Sequence, residues 1–208
     1  MVDANQYLKD YVSAELGEPG PFSRAFWFHG TRTFAGNTFP RGLLALNHSK
    51  SLAAKMLVDL APDELVRKRL RQWVETGDVP DALFQLRTGD SMHWGPYGHL
   101  VRELHFHARE NGLHDYLHLP ELVEDVCNAY LKQYGHDLTA YYLKVLHPCI
   151  IWFEADISYE KGAIETALAY AYTSVRALPP DCHATIGIDC KGKSVSRSSI
   201  AKIEFLPP

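Results

Sequence analysis

The chain reads as an α+β protein, with helices packed on a mostly antiparallel sheet or pair of sheets. Three observations carry that reading. Five segments repeat apolar residues at helical spacing, and five short apolar or aromatic runs have strand length. The order is helix, strand, helices, strand, helix, strand, helix, strand, strand, which does not alternate strictly enough for a doubly wound sheet. The run Cys149–Ile157 (CIIWFEADI) opens almost continuously apolar, as a central strand buried on both faces would.

Each element follows from its residues. The first helix starts near Asp3, with Gln6 three residues on as a capping box, and Gly17 stops it. Tyr7, Leu8, Tyr11 and Leu16 mark its inward face. After the loop GEPGP (17–21) comes the aromatic strand Ala25–His29. Ser49–Leu60 is a helix with Leu52, Met56, Leu57 and Leu60 as its stripe. Pro62 opens the next helix, which carries Val66, Leu70, Trp73 and Val74 and closes at Gly77. Gly89, Gly95, Pro96 and Gly98 make 85–98 a loop. Residues 100–107 (LVRELHFH) alternate like a strand, and Pro120–Tyr134 is helical up to Gly135. Ala163, Ile164, Ala167, Leu168, Ala171, Tyr172 and Val175 form the cleanest helical stripe, ended by Pro179-Pro180. Two short strands, 184–189 and 200–206, flank a turn at Lys191-Gly192-Lys193.

Composition narrows the function classes. At 208 residues the chain has the length of one domain with an insertion, and it can bury a core without disulfide or metal support. It is 46% apolar and 22% charged, so disorder is excluded as the main state. A net charge of −4 argues against a basic coat for nucleic acid. The basic run Arg67, Lys68, Arg69 and Arg71 on one helix reads as a solvated face or a local patch. No apolar run reaches the roughly 20 residues that span a bilayer. The N-terminus has no basic and apolar leader pattern, so a cytoplasmic protein without membrane contact is expected. Cys127, Cys149, Cys182 and Cys190 form no CxxC pair, and free thiols are expected.

Phe28-His29-Gly30-Thr31-Arg32 is the sharpest local signal. A strand delivers a switchable imidazole, a glycine that permits close approach, a hydroxyl and a guanidinium fork suited to phosphate. The alternative is a strand end capped by polar residues. Arg102 alternates with Leu100, Leu104 and Phe106, which puts a charge on an apolar face. It pairs with a carboxylate or lines a cleft. Six histidines, His93, His99, His105, His107, His114 and His118, crowd one quarter of the chain, and His105-x-His107 has ligand spacing on a strand. No HExxH and no cysteine partner accompanies them, so no metal is expected. The chain has no Walker loop, GxGxxG or GxSxG.

The passage FWFHGTRTFAGNTFPRGLLALN resembles the first motif of the ADP-ribosyltransferase superfamily, in the branch of the poly-ADP-ribose polymerases and diphtheria toxin. Phe28-His29-Gly30-Thr31 fits the strand end, and Arg41-Gly42-Leu43-Leu44 fits the later part. The match covers about a tenth of the chain. The resemblance implies a split antiparallel sheet core, as one domain over 1–208 with a helical insertion near 50–95. It implies NAD as co-substrate, with His29 donating to a ribose hydroxyl and Gly30 and Thr31 fixing the nicotinamide amide. Arg32 is then the phosphate candidate. It also implies a stacking tyrosine, for which Tyr97 in Gly95-Pro96-Tyr97-Gly98 is chosen over Tyr159. A late strand glutamate completes the set. Glu204 ranks first, Glu154 second (desolvation in an apolar strand would raise its pKa) and Glu103 third.

The function implied is mono-ADP-ribosyl transfer to a protein, DNA or RNA acceptor, as a toxin or phage-defence effector with a neutralising antitoxin as partner. Two rivals stand beside it. One is a non-catalytic module of the same fold that holds ADP-ribose or a partner. The other is a metal-dependent hydrolase built on the histidines.

Overall fold

The computed structural model describes residues 4–20, 22–157 and 162–207. In chain order the elements are α1 (Ala4–Leu16), β1 (Arg24–Thr33), α2 (Leu46–Asp59), α3 (Glu64–Thr76), α4 (Ala82–Gly89), β2 (Tyr97–His99), α5 (Glu121–Tyr134), α6 (Thr139–Val145), β3 (His147–Asp156), α7 (Ala163–Val175), β4 (Gly187–Asp189) and β5 (Ile200–Phe205). Five strands make one antiparallel sheet in the order β4-β2-β1-β3-β5. The class is α+β, as expected.

β1 lies at the centre of the sheet, and its ten residues pair along their whole length with β3. Opposite residues of antiparallel strands share a face, and neighbours alternate. Trp27, His29 and Thr31 therefore stand on one face with Phe153, Ile151 and Cys149. That face is packed: Trp27, Cys149, Ile151 and Phe153 bury together with Leu43, Val195 and Ile200. Phe28, Gly30 and Arg32 stand on the other face with Trp152 and Ile150. In β3, Pro148 to Ile151 are all buried, which bears out the both-faces reading of that strand.

A second core belongs to the helices. Leu57, Leu70, Trp73, Tyr130, Leu138, Tyr142 and Leu146 join α2, α3, α5 and α6 around one apolar cluster. The helical body thus runs past residue 95, and 97–113 returns to the sheet between its two halves. Asp63 caps α3 by accepting from the Val66 N–H, and Gly77 closes it in the left-handed region. Arg32 ties this body to the sheet. Its Nε and Nη2 donate to the Leu146 carbonyl at 3.1 and 2.7 Å, Nη2 to that of Leu143 at 2.8 Å, and Nη1 to that of Leu117 at 2.7 Å. Two of those carbonyls belong to the last turn of α6, which lacks internal partners for them.

Several expectations need correction. Residues 100–107 are not a strand: 102–106 form a 3₁₀ turn, because Val101, Leu104, His105 and Ala108 are the buried positions and recur at helical spacing. The segment 85–98 is not all loop, since α4 runs to Gly89 and β2 starts at Tyr97. α2 begins three residues before Ser49, α6 was not anticipated, and β4 covers only 187–189 of 184–189. α1 buries no residue, and Tyr7 and Tyr11 face solvent. Of its expected stripe α7 buries only Ala163, and its other buried positions are Thr166 and Ala169. The capping Asp3 lies outside the described residues.

Candidate functional site

A pocket of about 530 Å³ opens where the C-terminal half of β1 meets the helical body. That size suits a small-molecule ligand. One wall is the His29 and Thr31 edge of β1 with the loop 37–44 behind it. A second wall is α2, through Leu46, Ser49, Leu52 and Met56. Trp94, Pro96, Tyr97, Tyr116, Glu121 and Arg87 complete it. The lining is mainly apolar, with polar groups from β1, β2, α4 and α5 and, outside them, Asn37, Arg41, Ser49, His93 and Tyr116.

The loop reaches the pocket through one tight passage. Gly42 has φ +79°, and a Cβ there would lie 2.0 Å from the Val195 carbonyl oxygen, so only glycine fits. Leu43 and Val195 then pair through their main chains at 3.0 and 2.8 Å. Asn37 holds the near end by donating to Thr33 Oγ1 at 2.9 Å.

His29 is fixed by its Nδ1, 2.7 Å from the carbonyl oxygen of Tyr97. A carbonyl only accepts, so Nδ1 carries the proton. Burial holds the imidazole below its ordinary pKa, which keeps it neutral. Nε2 is therefore a lone-pair acceptor. This corrects the expected role: His29 offers a ligand hydroxyl an acceptor, not a donor. Thr31 lines the same pocket.

Gly30 permits a close approach, but the approach is made from within the protein. A Cβ at Gly30 would lie 2.7 Å from Nδ1 of His105, whose Nε2 donates to the Phe28 carbonyl at 2.8 Å. Arg32 stands on the pocket wall, yet the carbonyls of α6 and of the 117–118 turn engage its guanidinium. The expected phosphate fork is spent on structure.

Tyr97 lines the pocket, and its hydroxyl donates to the Met92 carbonyl. Burial raises its pKa, and the charges of Asp189, Glu121 and Asp90 add to the effect. Its rival Tyr159 lies outside the described residues.

The structure does not bring Glu204 to His29. Glu204 pairs with Ile150, which pairs with Gly30, whereas His29 pairs with Ile151. Adjacent residues on a strand point to opposite faces, so Glu204 and His29 lie on opposite sides of the sheet. Glu204 is also occupied. Arg102 donates to both its oxygens at 2.9 and 2.6 Å, and Trp152 Nε1 donates at 3.1 Å. The Arg102 bond, ahead of the Trp152 bond, holds its carboxyl below the usual carboxylate range. Arg102 thus takes the carboxylate-pairing option. Glu103 joins the same guanidinium at 3.1 Å, and Glu154 pairs with Arg24 at 3.2 Å. None of the three expected glutamates lines the pocket.

The carboxylate that does line it is Glu121, on the first turn of α5. Arg87 of α4 reaches its Oε1 at 3.1 Å, and the Tyr116 hydroxyl donates to its Oε2 at 3.0 Å. Arg87 also bonds Asp125, one helical turn on, which is 1% exposed and has its other oxygen unpartnered. Burial, then the charge of Glu121, raises the Tyr116 hydroxyl, so it stays a donor. Sequence reading passed over Glu121 because an acid in a first helical turn is ordinary dipole complement. The available signal was Asp125, an acid among the inward positions of the 120–134 helix, which demands a buried cation nearby.

Among the described residues the histidines form no group of three that could hold a metal ion, except His183 with Asp181 and Cys182. His105 and His114 are engaged with main-chain carbonyls, and the His105-x-His107 pair sits on a 3₁₀ turn, not on a strand face. The group of Asp181, Cys182 and His183 is exposed and outside the pocket. Cys127 and Cys149 are buried free thiols, and Cys182 and Cys190 are free as well. No described helix is long and apolar enough to cross a membrane. No family model, curated protein or solved structure matches the chain.

Proposed function

We propose that the protein is a mono-ADP-ribosyltransferase that uses NAD as co-substrate and modifies a macromolecule. The observation that carries the reading is the paired placement of His29 and Tyr97. The imidazole of His29, midway along β1 and with a fixed acceptor nitrogen, is held by the Tyr97 carbonyl, and both residues line one mainly apolar pocket large enough for a nucleotide. His29 Nε2 receives a ribose hydroxyl, and the Tyr97 ring lies against the departing nicotinamide. The C–N bond to nicotinamide breaks and its electron pair leaves with that ring. A lone pair of the acceptor forms the new bond, and the acceptor gives up a proton. Such chemistry relies on charge stabilisation more than on a strong base.

The test is incubation with adenylate-labelled NAD and a cell lysate, followed by nuclease or protease. Release of nicotinamide with label retained on a macromolecule supports the reading, and the enzyme that removes the label identifies the acceptor. Absence of nicotinamide release under any acceptor overturns it. His29→Ala should lower release by about 100-fold or more, the loss seen when a transition-state contact is removed. A growth arrest on expression that His29→Ala relieves would support the toxin role.

One observation favours a second reading, a non-catalytic module that holds ADP-ribose. The strand glutamate assigned to catalysis faces away from the pocket. Binding of ADP-ribose without turnover of NAD distinguishes that case.

A further inference from the structure

We infer that Glu121 is the catalytic carboxylate of this pocket, with Arg87 and Tyr116 as its positioning residues. The inference rests on the ADP-ribosyl reading and supplies the acid that reading lacks. Glu121 is the one carboxylate among the described residues that line the pocket. It comes from a helix N-terminus, where the dipole favours an ionised carboxylate.

Its two oxygens are held separately. Arg87 takes Oε1 and Tyr116 takes Oε2, and each oxygen keeps a lone pair for a ligand. Arg87 is itself held by Asp125 from behind, so a guanidinium that serves two carboxylates cannot swing away. Glu121 and His29 line the same pocket, so a ligand that fills it meets both. As the C–N bond of NAD breaks and its electron pair leaves with nicotinamide, the ribose carbon gains positive charge. Glu121 stabilises that charge, and it receives the proton that the acceptor loses when its lone pair bonds the same carbon.

The experiment compares Glu121→Gln, Arg87→Lys and Glu204→Gln with the wild-type full chain. It measures kcat and KM for nicotinamide release, ADP-ribose binding by calorimetry and the thermal midpoint. Glu121→Gln should lose about 100-fold or more in kcat while it still binds ADP-ribose. Arg87→Lys keeps the charge but not the two-armed fork. It should lose about tenfold in kcat with KM nearly unchanged, which a merely structural role would not produce. Glu204→Gln should keep wild-type kcat and lower the thermal midpoint. If Glu121→Gln does not fold, Glu121→Asp carries the test, and its kcat should fall with KM held. Full kcat in the Glu121 variant, or a loss confined to Glu204→Gln, overturns the inference. Wild-type protein that releases no nicotinamide overturns the ADP-ribosyl reading beneath it, and Glu121 with it.

Discussion

His105 shows how one side chain can serve the site without touching it. Its ring fills the space that Gly30 leaves, and its Nε2–H satisfies the Phe28 carbonyl. Burial pushes its pKa down from 6.5 to about 4, with His99, His29 and Arg102 adding repulsion. A group with a depressed native pKa contributes stability that is present above its unfolded value and lost as pH falls toward the native value. The window is therefore about 6.5 down to 4. His105→Gln should be less stable than wild type above pH 6.5, and the difference should shrink below it. The full span is about 3 kcal/mol at 1.36 kcal/mol per unit. Urea unfolding of both proteins from pH 7 to pH 4 measures it. A pH-independent difference would show that His105 is protonated as easily in the native as in the unfolded chain.

Among the elements, β1 and α6 are joined by Arg32, and that joint is a stability claim rather than a ligand claim. Arg32→Lys replaces a five-donor fork with a point charge and leaves buried carbonyls of α6 unpaired. The expected cost is about 2–4 kcal/mol, at roughly 1–3 kcal/mol per orphaned group, read as a lower urea midpoint with unchanged ADP-ribose affinity. A variant of native stability that loses affinity would restore the phosphate role. α1 is the opposite case. It has no fully buried residue, and its ion pair to α7, Lys9–Glu165, is part-buried. Removal of residues 1–20 should lower the thermal midpoint by only a few degrees, because little buried area is lost.

The elements also show what can be read from sequence. α3 and α5 were legible because their apolar positions recur at helical spacing, and β1 and β3 because they are short aromatic or near-continuous apolar runs. The segment 100–107 was not, since Leu100, Arg102, Leu104 and Phe106 alternate while Val101, Leu104 and Ala108 are spaced for a helix. Only the packing against Ala184 and Tyr170 decides between the two. The site was legible on β1, where His29 and Thr31 reach the pocket. It was illegible for the acid, because the face on which Glu204 falls depends on the register between β5 and β3.

At the scale of the whole molecule, two cores meet at one pocket. The sheet supplies a rigid strand with His29 midway along it, and the helical body supplies Arg87, Tyr116 and Glu121. Arg32 fixes the spacing between the bodies. The nearest thing to an unaided view of the site is the nitrogen of His29 itself. In ¹⁵N spectra of the imidazoles, the account predicts a neutral His29 protonated on Nδ1, whose Nε2 resonance moves upfield as NAD or ADP-ribose is added. An Nε2 protonated in the free protein, or one whose resonance stays still at saturating NAD, would contradict it.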